Sequence, residues 1–235
     1  MKTIILAGGK ATRLPISAKN KPKALVEIGN KAILQHQIEL LSKHGFNDIR
    51  ISLGRFADQI IDFINQLSKK LPFQYDYVIE KEPLGTGGAI KFASKDIDKP
   101  FLALNGDVIS DINLKSFTEN YQNVSRETKN RGSIAVWHCQ KAKDFGLINF
   151  HPEKKKILNF LEKPQKECIG YINTGYYILH PDIFKNVSRE TFSIEREIFP
   201  NLAKNGHLIA FIHNGYWSDL GTEIRLERGR KMLKL

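Results

Sequence analysis

Apolar positions along the first half of the chain follow two alternating rhythms. Residues 3–7 and 101–104 are unbroken apolar or β-branched runs with the length of buried strands, and residues 48–53 and 74–79, where polar residues interrupt the apolar ones, also read as strands. Between them the spacing turns helical. Over residues 33–44 the apolar positions Ile33, Leu34, Ile38, Leu40 and Leu41 line one helical face, and Gly45 marks the stop. Residues 57–67 repeat the pattern through Ile60, Ile61, Phe63, Ile64 and Leu67, and residues 87–93 open a third helix. Strand and helix alternating at this pitch predict right-handed βαβ units and a mostly parallel sheet.

The rhythm changes beyond Ser133. Residues 134–137, 146–150, 157–160 and 171–178 read as strands with no helix between them. A helix is predicted over 194–199, capped by Ser193, with Pro200 ending or kinking it. A strand over 208–212 and a last helix from about Thr222 follow. No repeat, low-complexity stretch or linker interrupts the chain. The expectation is one α/β domain spanning 1–235, Rossmann-like, a three-layer α/β/α sandwich with a mostly parallel mixed sheet and a β-rich second half.

Composition narrows the class. Apolar residues make up 41% of the 235 and aromatic residues 10%, enough for a core without staples. Cys139 and Cys168 are too few for a disulfide framework and have no metal-like spacing, so both read as small buried side chains. The opening apolar run at residues 4–7 is too short for a signal-peptide core, and no run reaches the length of about 18 that a membrane span needs. A cytoplasmic, soluble protein with no membrane partner is expected.

The formal charge of +11, from 36 Lys and Arg against 25 Asp and Glu, raises the question of nucleic acid. The lysines are scattered, however, with brief clusters only at Lys69-Lys70 and Lys154-Lys155-Lys156. No zinc spacing, helix-turn-helix signal or RNP-like aromatic motif accompanies them. A basic field of this kind equally attracts a small polyanion, and no nucleic-acid partner is expected.

Candidate chemistry gathers at the strand ends, where ligands of open α/β sheets bind. Leu6-Ala7-Gly8-Gly9 leaves the first strand and runs on to Arg13, with Lys21 and Lys23 following. Paired glycines admit a ligand close to backbone N–H groups, and the cations suit a polyphosphate. The loop is neither a Walker A motif nor a G-x-G-x-x-G fingerprint, and taken alone it is also an ordinary strand-to-loop turn. A second glycine loop, residues 80–90, carries Gly85, Gly87 and Gly88 between a strand and a helix. A flat ring could lie against its backbone, or Thr86 could simply cap the helix. Asn105-Gly106-Asp107 ends a buried strand, and a carboxylate there suits Mg2+, a hard cation wanting oxygen ligands. Asp219 shares such an ion if the last strand lies alongside; otherwise it is a helix cap. Glu162-Lys163-Pro164 and Ile172-Asn173-Thr174-Gly175 offer a point charge for phosphate and hydrogen-bonding groups for hydroxyls.

Taken in order, LAGGxxTRL, KPK, EPLGTGGAI, NGD, EKP with INTG, and SDLGT resemble the sugar-phosphate nucleotidylyltransferase family, also called NDP-sugar pyrophosphorylases. The resemblance runs from Met1 to about Arg228. It implies a Rossmann-like core and Mg2+-dependent joining of a sugar 1-phosphate to a nucleoside triphosphate, with release of pyrophosphate. Residues 1–112 become the nucleotide-binding half, and residues 113–235 the sugar-phosphate-binding half with its C-terminal helix. The resemblance assigns Arg13, Lys23 and Asp107 to catalysis and Asp107 with Asp219 to the metal. Nucleotide contacts fall to Leu6, Ala7, Gly8, Gly9, Arg13, Lys23, Glu82, Pro83, Gly85, Thr86, Gly88, Asn105 and Gly106, with Gly88 touching the base. Gly146, Glu162, Lys163, Asn173 and Thr174 match positions that hold the sugar phosphate. A homodimer is the expected assembly.

Two positions depart from the family's pattern: Ala11 stands where glycine is usual, and Ala24 where a second proline is usual. Within the family, residues 80–91 and Phe192-Ser193-Ile194-Glu195 look most like heptose 1-phosphate guanylyltransferases, which make precursors of cell-surface polysaccharide. GTP with a heptose or hexose 1-phosphate is therefore the expected pair. Uridylyl- or cytidylyltransferases acting on N-acetylmuramate 1-phosphate or choline phosphate, and a catalytically silent nucleotide-sugar sensor, remain the alternatives.

Overall fold

The computed structural model describes residues 1–9, 21–127 and 129–232. Strand β1 (Thr3–Leu6) lies inside a nine-stranded mixed sheet. The two-residue strands β2 (Glu27–Ile28) and β3 (Lys31–Ala32) form a hairpin of their own. Its turn residues Gly29 and Asn30 both have positive φ, the geometry of a tight primed turn. On one side β1 pairs in parallel with β4 (Asp48–Leu53), which pairs in parallel with β5 (Gln74–Ile79). On its other side β1 pairs in parallel with β6 (Phe101–Asn105).

The remaining strands are antiparallel to this core or extend it. The short β7 (Val108–Ser110) follows β6, and then come β8 (Gly132–Cys139), β9 (Gly146–Phe150), β10 (Ile157–Glu162) and the long β11 (Gly170–Leu179). One edge of β11 borders β6 through Tyr176–Leu179 register partners and β9 through Tyr171 and Ile172; its other edge borders β8. Strand β12 (Leu208–Ile212) adds to β8 in parallel, and β13 (Trp217–Asp219) pairs antiparallel with β7.

Alternation along each strand sorts the core into two layers. Ile5, Ile49, Ile51, Leu102 and Leu104 pack under α1 (Ile33–Lys43), α2 (Ala57–Leu67) and α4 (Leu114–Glu127) through Leu34, Ile38, Ile60, Ile64, Phe117 and Tyr121. Ile4, Phe101 and Ala103 point the other way, toward α3 (Gly85–Ala93) and α5 (Phe199–Lys204), through Ile90, Ala93, Phe199 and Ala203. The three-layer α/β/α arrangement is the expected one. Leu226 of α6 (Glu223–Met232) packs with Val26, Ile28, Ile33, Ile109 and Leu220 in a smaller cluster over the β2–β3 hairpin.

Besides the short strands β2, β3, β7 and β13, which were not expected, three further features differ from the sequence expectation. Helix α4 fills a stretch left without an element. Its apolar residues Leu114, Phe117, Tyr121 and Val124 keep helical spacing amid polar neighbours, and Asn113 Oδ1 caps it by accepting from Ser116 N at 3.0 Å. Residues Ile194–Ile198 form one π-helical turn, capped as expected by Ser193, whose Oγ accepts from Arg196 N at 3.2 Å. Pro200 neither ends nor breaks that segment but sits in the first turn of α5, where its missing N–H costs nothing. Cys139 and Cys168 are both free, buried and half-buried respectively. Among the described residues no helix is long and apolar enough to cross a membrane.

Candidate active site

The carboxyl ends of β1 and β6 meet in a tight seam. Gly106 N donates to Leu6 O at 3.0 Å, and a Cβ on Gly106 would stand 2.4 Å from that same oxygen. The first loop is pressed equally close to the chain after β4, because a Cβ on Gly54 would lie 2.9 Å from Gly8 O. Among the described residues, nothing lies within 4 Å of a Cβ built on Gly9. Behind the seam, the buried Gln37 of α1 donates its amide to Asn105 O at 2.7 Å and Val108 O at 2.8 Å. Those two bonds straddle Gly106-Asp107 and fix the turn that presents Asp107.

Asp219 arrives from 112 positions further along. The β7–β13 register sets it opposite Val108, and Leu220 N donates to Asp107 O at 2.9 Å. Lys23, from the 3-10 turn Lys23–Leu25, forms an ion pair with Asp107. A Cβ built on Gly221 would lie 3.2 Å from Lys23 Nζ and 2.6 Å from Asp219 Oδ1, so ammonium and second carboxylate converge on one point. Burial pushes the Asp219 carboxyl up, and the negative charge of Asp107 adds to the effect; Lys23 and Arg225 oppose it. Asp219 does not cap α6. Its Oδ1 accepts from Gly221 N at 2.5 Å, while Thr222 Oγ1 accepts from Arg225 N at 3.4 Å in the capping position.

Two lobes open from this point. The first, about 290 Å3, is lined by Leu6, Ala7, Gly8 and Gly9 from the first loop and by Glu80, Pro83, Gly85, Thr86 and Ala89 from the second. Glu80 holds the second loop in shape: Oε1 accepts from Ser52 Oγ at 2.9 Å and Oε2 from Leu84 N at 3.2 Å. Gly85 has φ of +71°, and a Cβ there would meet Phe192 O at 2.6 Å. Gly88 is placed differently from the sequence expectation. It is buried, its N–H donates to Phe192 O at 3.3 Å, and a Cβ would stand 2.0 Å from Glu190 O, so it packs against residues 190–192 and does not line the lobe. Glu82 is exposed and also lies outside the lining. Nor does Thr86 cap α3. Its hydroxyl donates to the Glu195 carboxylate and accepts from Ile194 N at 3.2 Å, tying the loop to the π turn.

The second lobe, about 280 Å3, lies toward the β-rich half. Gly146 and Glu162 are register partners across β9 and β10, and a Cβ on Gly146 would strike the Phe160 ring at 2.5 Å. Lys163 adopts a left-handed φ of 51°, rare for a side-chain-bearing residue, and its N–H donates to Phe145 O at 3.1 Å. Its ammonium lies 3.9 Å from Glu162 Oε1. Burial raises the Glu162 carboxyl above its usual range, and the charge of Glu195 adds to this. Asn173 Nδ2 donates to Tyr177 OH at 2.8 Å and its Oδ1 accepts from Gly175 N at 2.9 Å, where the β11–β8 register slips. Thr174 donates its hydroxyl to Ala135 O at 2.7 Å and accepts Trp217 Nε1 on its carbonyl at 2.8 Å, so its side chain braces the floor.

Gly9, Lys23, Asn105 and Asp107 line both lobes. Arg13 and Ala11 lie outside the described residues. Glu80, Glu195, Trp217 and Arg225 line the lobes although the sequence reading assigned them no contact, and Gln37 braces the junction from behind. Glu80, Glu195 and Trp217 lie inside or beside the quoted motifs, whereas nothing in the sequence singled out Arg225 or Gln37. Among the described residues no group of three or more His, Cys, Asp or Glu side chains is placed to hold a metal ion. The Asp107–Asp219 pair supplies hard oxygen donors of the kind Mg2+ takes when phosphates and water complete its shell.

A family profile described as nucleotidyl transferase matches residues 2–231. Mannose-1-phosphate guanylyltransferase catalytic subunit beta of Xenopus tropicalis is 34% identical over 224 residues, which cover 94% of this chain and 61% of that protein. Mannose-1-phosphate guanyltransferase of Aspergillus oryzae is 34% identical over 225 residues with the same coverage. The chain thus spans 61% of the length of these relatives. Among solved structures, HddC from Yersinia pseudotuberculosis complexed with GMP-PN superposes with a TM-score of 0.84 at 30% identity, over 99% of both chains. A putative glucose-1-phosphate thymidylyltransferase from Bacillus anthracis shares the fold, with a TM-score of 0.87 at 24% identity over 99% of this chain and 94% of that one.

Proposed function

We propose, from the premise that this chain belongs to the nucleotidyl transferase family, that it is a Mg2+-dependent guanylyltransferase. It joins GTP to a mannose-like hexose or heptose 1-phosphate and releases pyrophosphate. The observation that carries this reading is the junction itself: two lobes of similar volume meet where Lys23, Asp107 and Asp219 converge. The names of the relatives and the GMP-PN complex of HddC support guanine as the base and mannose 1-phosphate as a first substrate to try.

The chemistry follows from charge. A phosphate oxygen of the sugar phosphate attacks the α-phosphorus of GTP, a new P–O bond forms, and the bond to pyrophosphate breaks. That oxygen is already anionic, so no general base is required. The obstacle is repulsion between two polyanions, and fixed cations in a preorganised cleft lower it. Lys23 exchanges its carboxylate partner for phosphate oxygens at the junction. Glu162, Glu195 and Asn173 take the hydroxyls of the sugar, and Lys163 faces its phosphate. Arg13, by the family resemblance, serves the triphosphate. Asp107 and Asp219 would hold Mg2+, which would supply further positive charge at the junction. A silent sensor has no need of this charge cluster. Incubating the protein with GTP, mannose 1-phosphate and Mg2+ and following 31P resonances tests the reading: a nucleoside diphosphate-sugar and pyrophosphate in equal amounts are expected, and unchanged substrates with every sugar 1-phosphate tried refute it.

A further inference from the structure

We infer that Arg225 is a phosphate-binding residue of the second lobe, gripping the phosphate monoester of the sugar 1-phosphate together with Lys163. The inference rests on the reading of that lobe as the sugar-phosphate side. Arg225 belongs to the first turn of α6, a helix that otherwise packs over the β2–β3 hairpin. Its guanidinium turns into the lobe and lines it, with the side chain only 20% exposed. The guanidinium carbon sits 4.4 Å from the centre of the Phe145 ring. Phe145 precedes Gly146 and accepts the N–H of Lys163, so the stack brings Arg225 to the segment that positions Lys163. An arginine stacked on a ring is fixed in plane and keeps its N–H edge for paired bonds to an oxyanion.

Its present partners are the kind a ligand replaces. One nitrogen lies 2.8 Å from Asp144 Oδ2, but that carboxylate is 71% exposed, and exposed pairs hold weakly. Another lies 3.3 Å from Asp219 Oδ1, a carboxylate that also faces Asp107. Lys163 and Arg225 are cations of one cavity with Glu162 and Glu195 as hydroxyl acceptors, while Lys23, its third cation, sits at the junction with the other lobe and pairs with Asp107. That is the complement of a sugar carrying one phosphate. The competing account makes Arg225 a structural tie between α6 and residues 144–145.

Binding without metal separates the two. Trp217 lines the lobe and lies 5.6 Å from Trp137, ring to ring, so intrinsic fluorescence reports on its occupancy. The full chain is titrated in chelator with inorganic phosphate, with mannose 1-phosphate and, as a control, with GTP. Arg225→Gln is expected to weaken phosphate and mannose 1-phosphate about tenfold, as loss of charged hydrogen bonds does, with GTP unaffected. Arg225→Lys should lie between. Asp144→Asn should tighten both anions about two- to threefold, because it frees the guanidinium; a structural tie predicts no gain, and this variant decides the matter if Arg225→Gln does not fold. Wild-type affinity in both variants, or no phosphate binding by the wild type, overturns the inference. Arg225-dependent phosphate binding by a protein that forms no nucleotide-sugar would instead refute the proposed function and leave the inference standing.

Discussion

The N–H of Leu220 donates to the carbonyl oxygen of Asp107 at 2.9 Å, and this bond, at the end of the β7–β13 ladder, helps set two carboxylates from distant parts of the chain side by side. Both aspartates then serve the junction of the lobes, with Lys23 paired to Asp107. The arrangement places unfavourable charge in a partly buried site, which raises the Asp219 carboxyl.

Replacing either carboxylate by its amide should therefore remove turnover without harming the fold. For Asp107→Asn and Asp219→Asn we expect kcat to fall by about 10²–10³, on the order of 3–4 kcal/mol of transition-state stabilisation. The melting temperature of Asp219→Asn should stay at or above that of the wild type, because a buried repulsion is relieved, whereas Asp107→Asn, which also gives up the Lys23 ion pair, should stay folded with little change. Steady-state kinetics and calorimetry on the same preparations check both halves.

Gln37 holds the turn that presents Asp107 and touches neither lobe. Gln37→Leu leaves the carbonyls of Asn105 and Val108 without their buried donor, a loss of about 1–3 kcal/mol. Activity should fall through kcat while KM for the sugar phosphate holds. Urea unfolding and a KM-against-kcat comparison measure the two effects.

The glycines of the two loops should respond in opposite ways. Gly88→Ala drives a Cβ to within 2.0 Å of Glu190 O and should destabilise the protein by about 1–3 kcal/mol. Gly9→Ala meets nothing within 4 Å among the described residues and should leave the melting temperature unchanged. Equal melting temperatures for the two variants would contradict the placement of Gly88 against residues 190–192.

Glu162 gives a pH signature. Its folded-state pKa is raised from the ordinary value of 4.5 by burial and by Glu195. The native state then holds this proton more tightly than the unfolded chain, so the stabilising contribution is present below 4.5 and is lost as pH rises through the raised value. Glu162→Gln should flatten that part of the stability profile while it weakens sugar-phosphate binding. Unfolding free energies measured from pH 4 upward in both proteins test the slope.

How far the sequence foretold this picture depends on what each residue does. Strands β1 and β6 were legible because both faces are covered and their apolar runs are unbroken, and β4 because Ile49, Ile51 and Leu53 alternate on one buried face. Helix α4 was not, because its few core residues are diluted by polar ones and its cap at Asn113 is a single residue. Strands β7 and β13, of three residues each, are too short to carry a pattern, yet they bring Asp219 to Asp107. That meeting was foreseen only on the condition that the last strand lies alongside. Gly85 and Gly88 look alike in the sequence, and only packing separates the one that faces the lobe from the one wedged against Glu190. Arg225 and Glu195 sit on helical turns with ordinary composition, so their distances to the site could come only from the fold.

The central claim is that two lobes meeting at Asp107 and Lys23 transfer a nucleotidyl group. Pyrophosphate release measures it most directly, with wild-type protein, Mg2+, each of the four nucleoside triphosphates and a panel of sugar 1-phosphates that includes mannose and heptose forms. Release with GTP and a mannose or heptose 1-phosphate, dependent on both substrates and lost in Asp107→Asn, is the predicted result. Folded wild-type protein that releases no pyrophosphate with any pair, or an Asp107→Asn variant as active as the wild type, would contradict it.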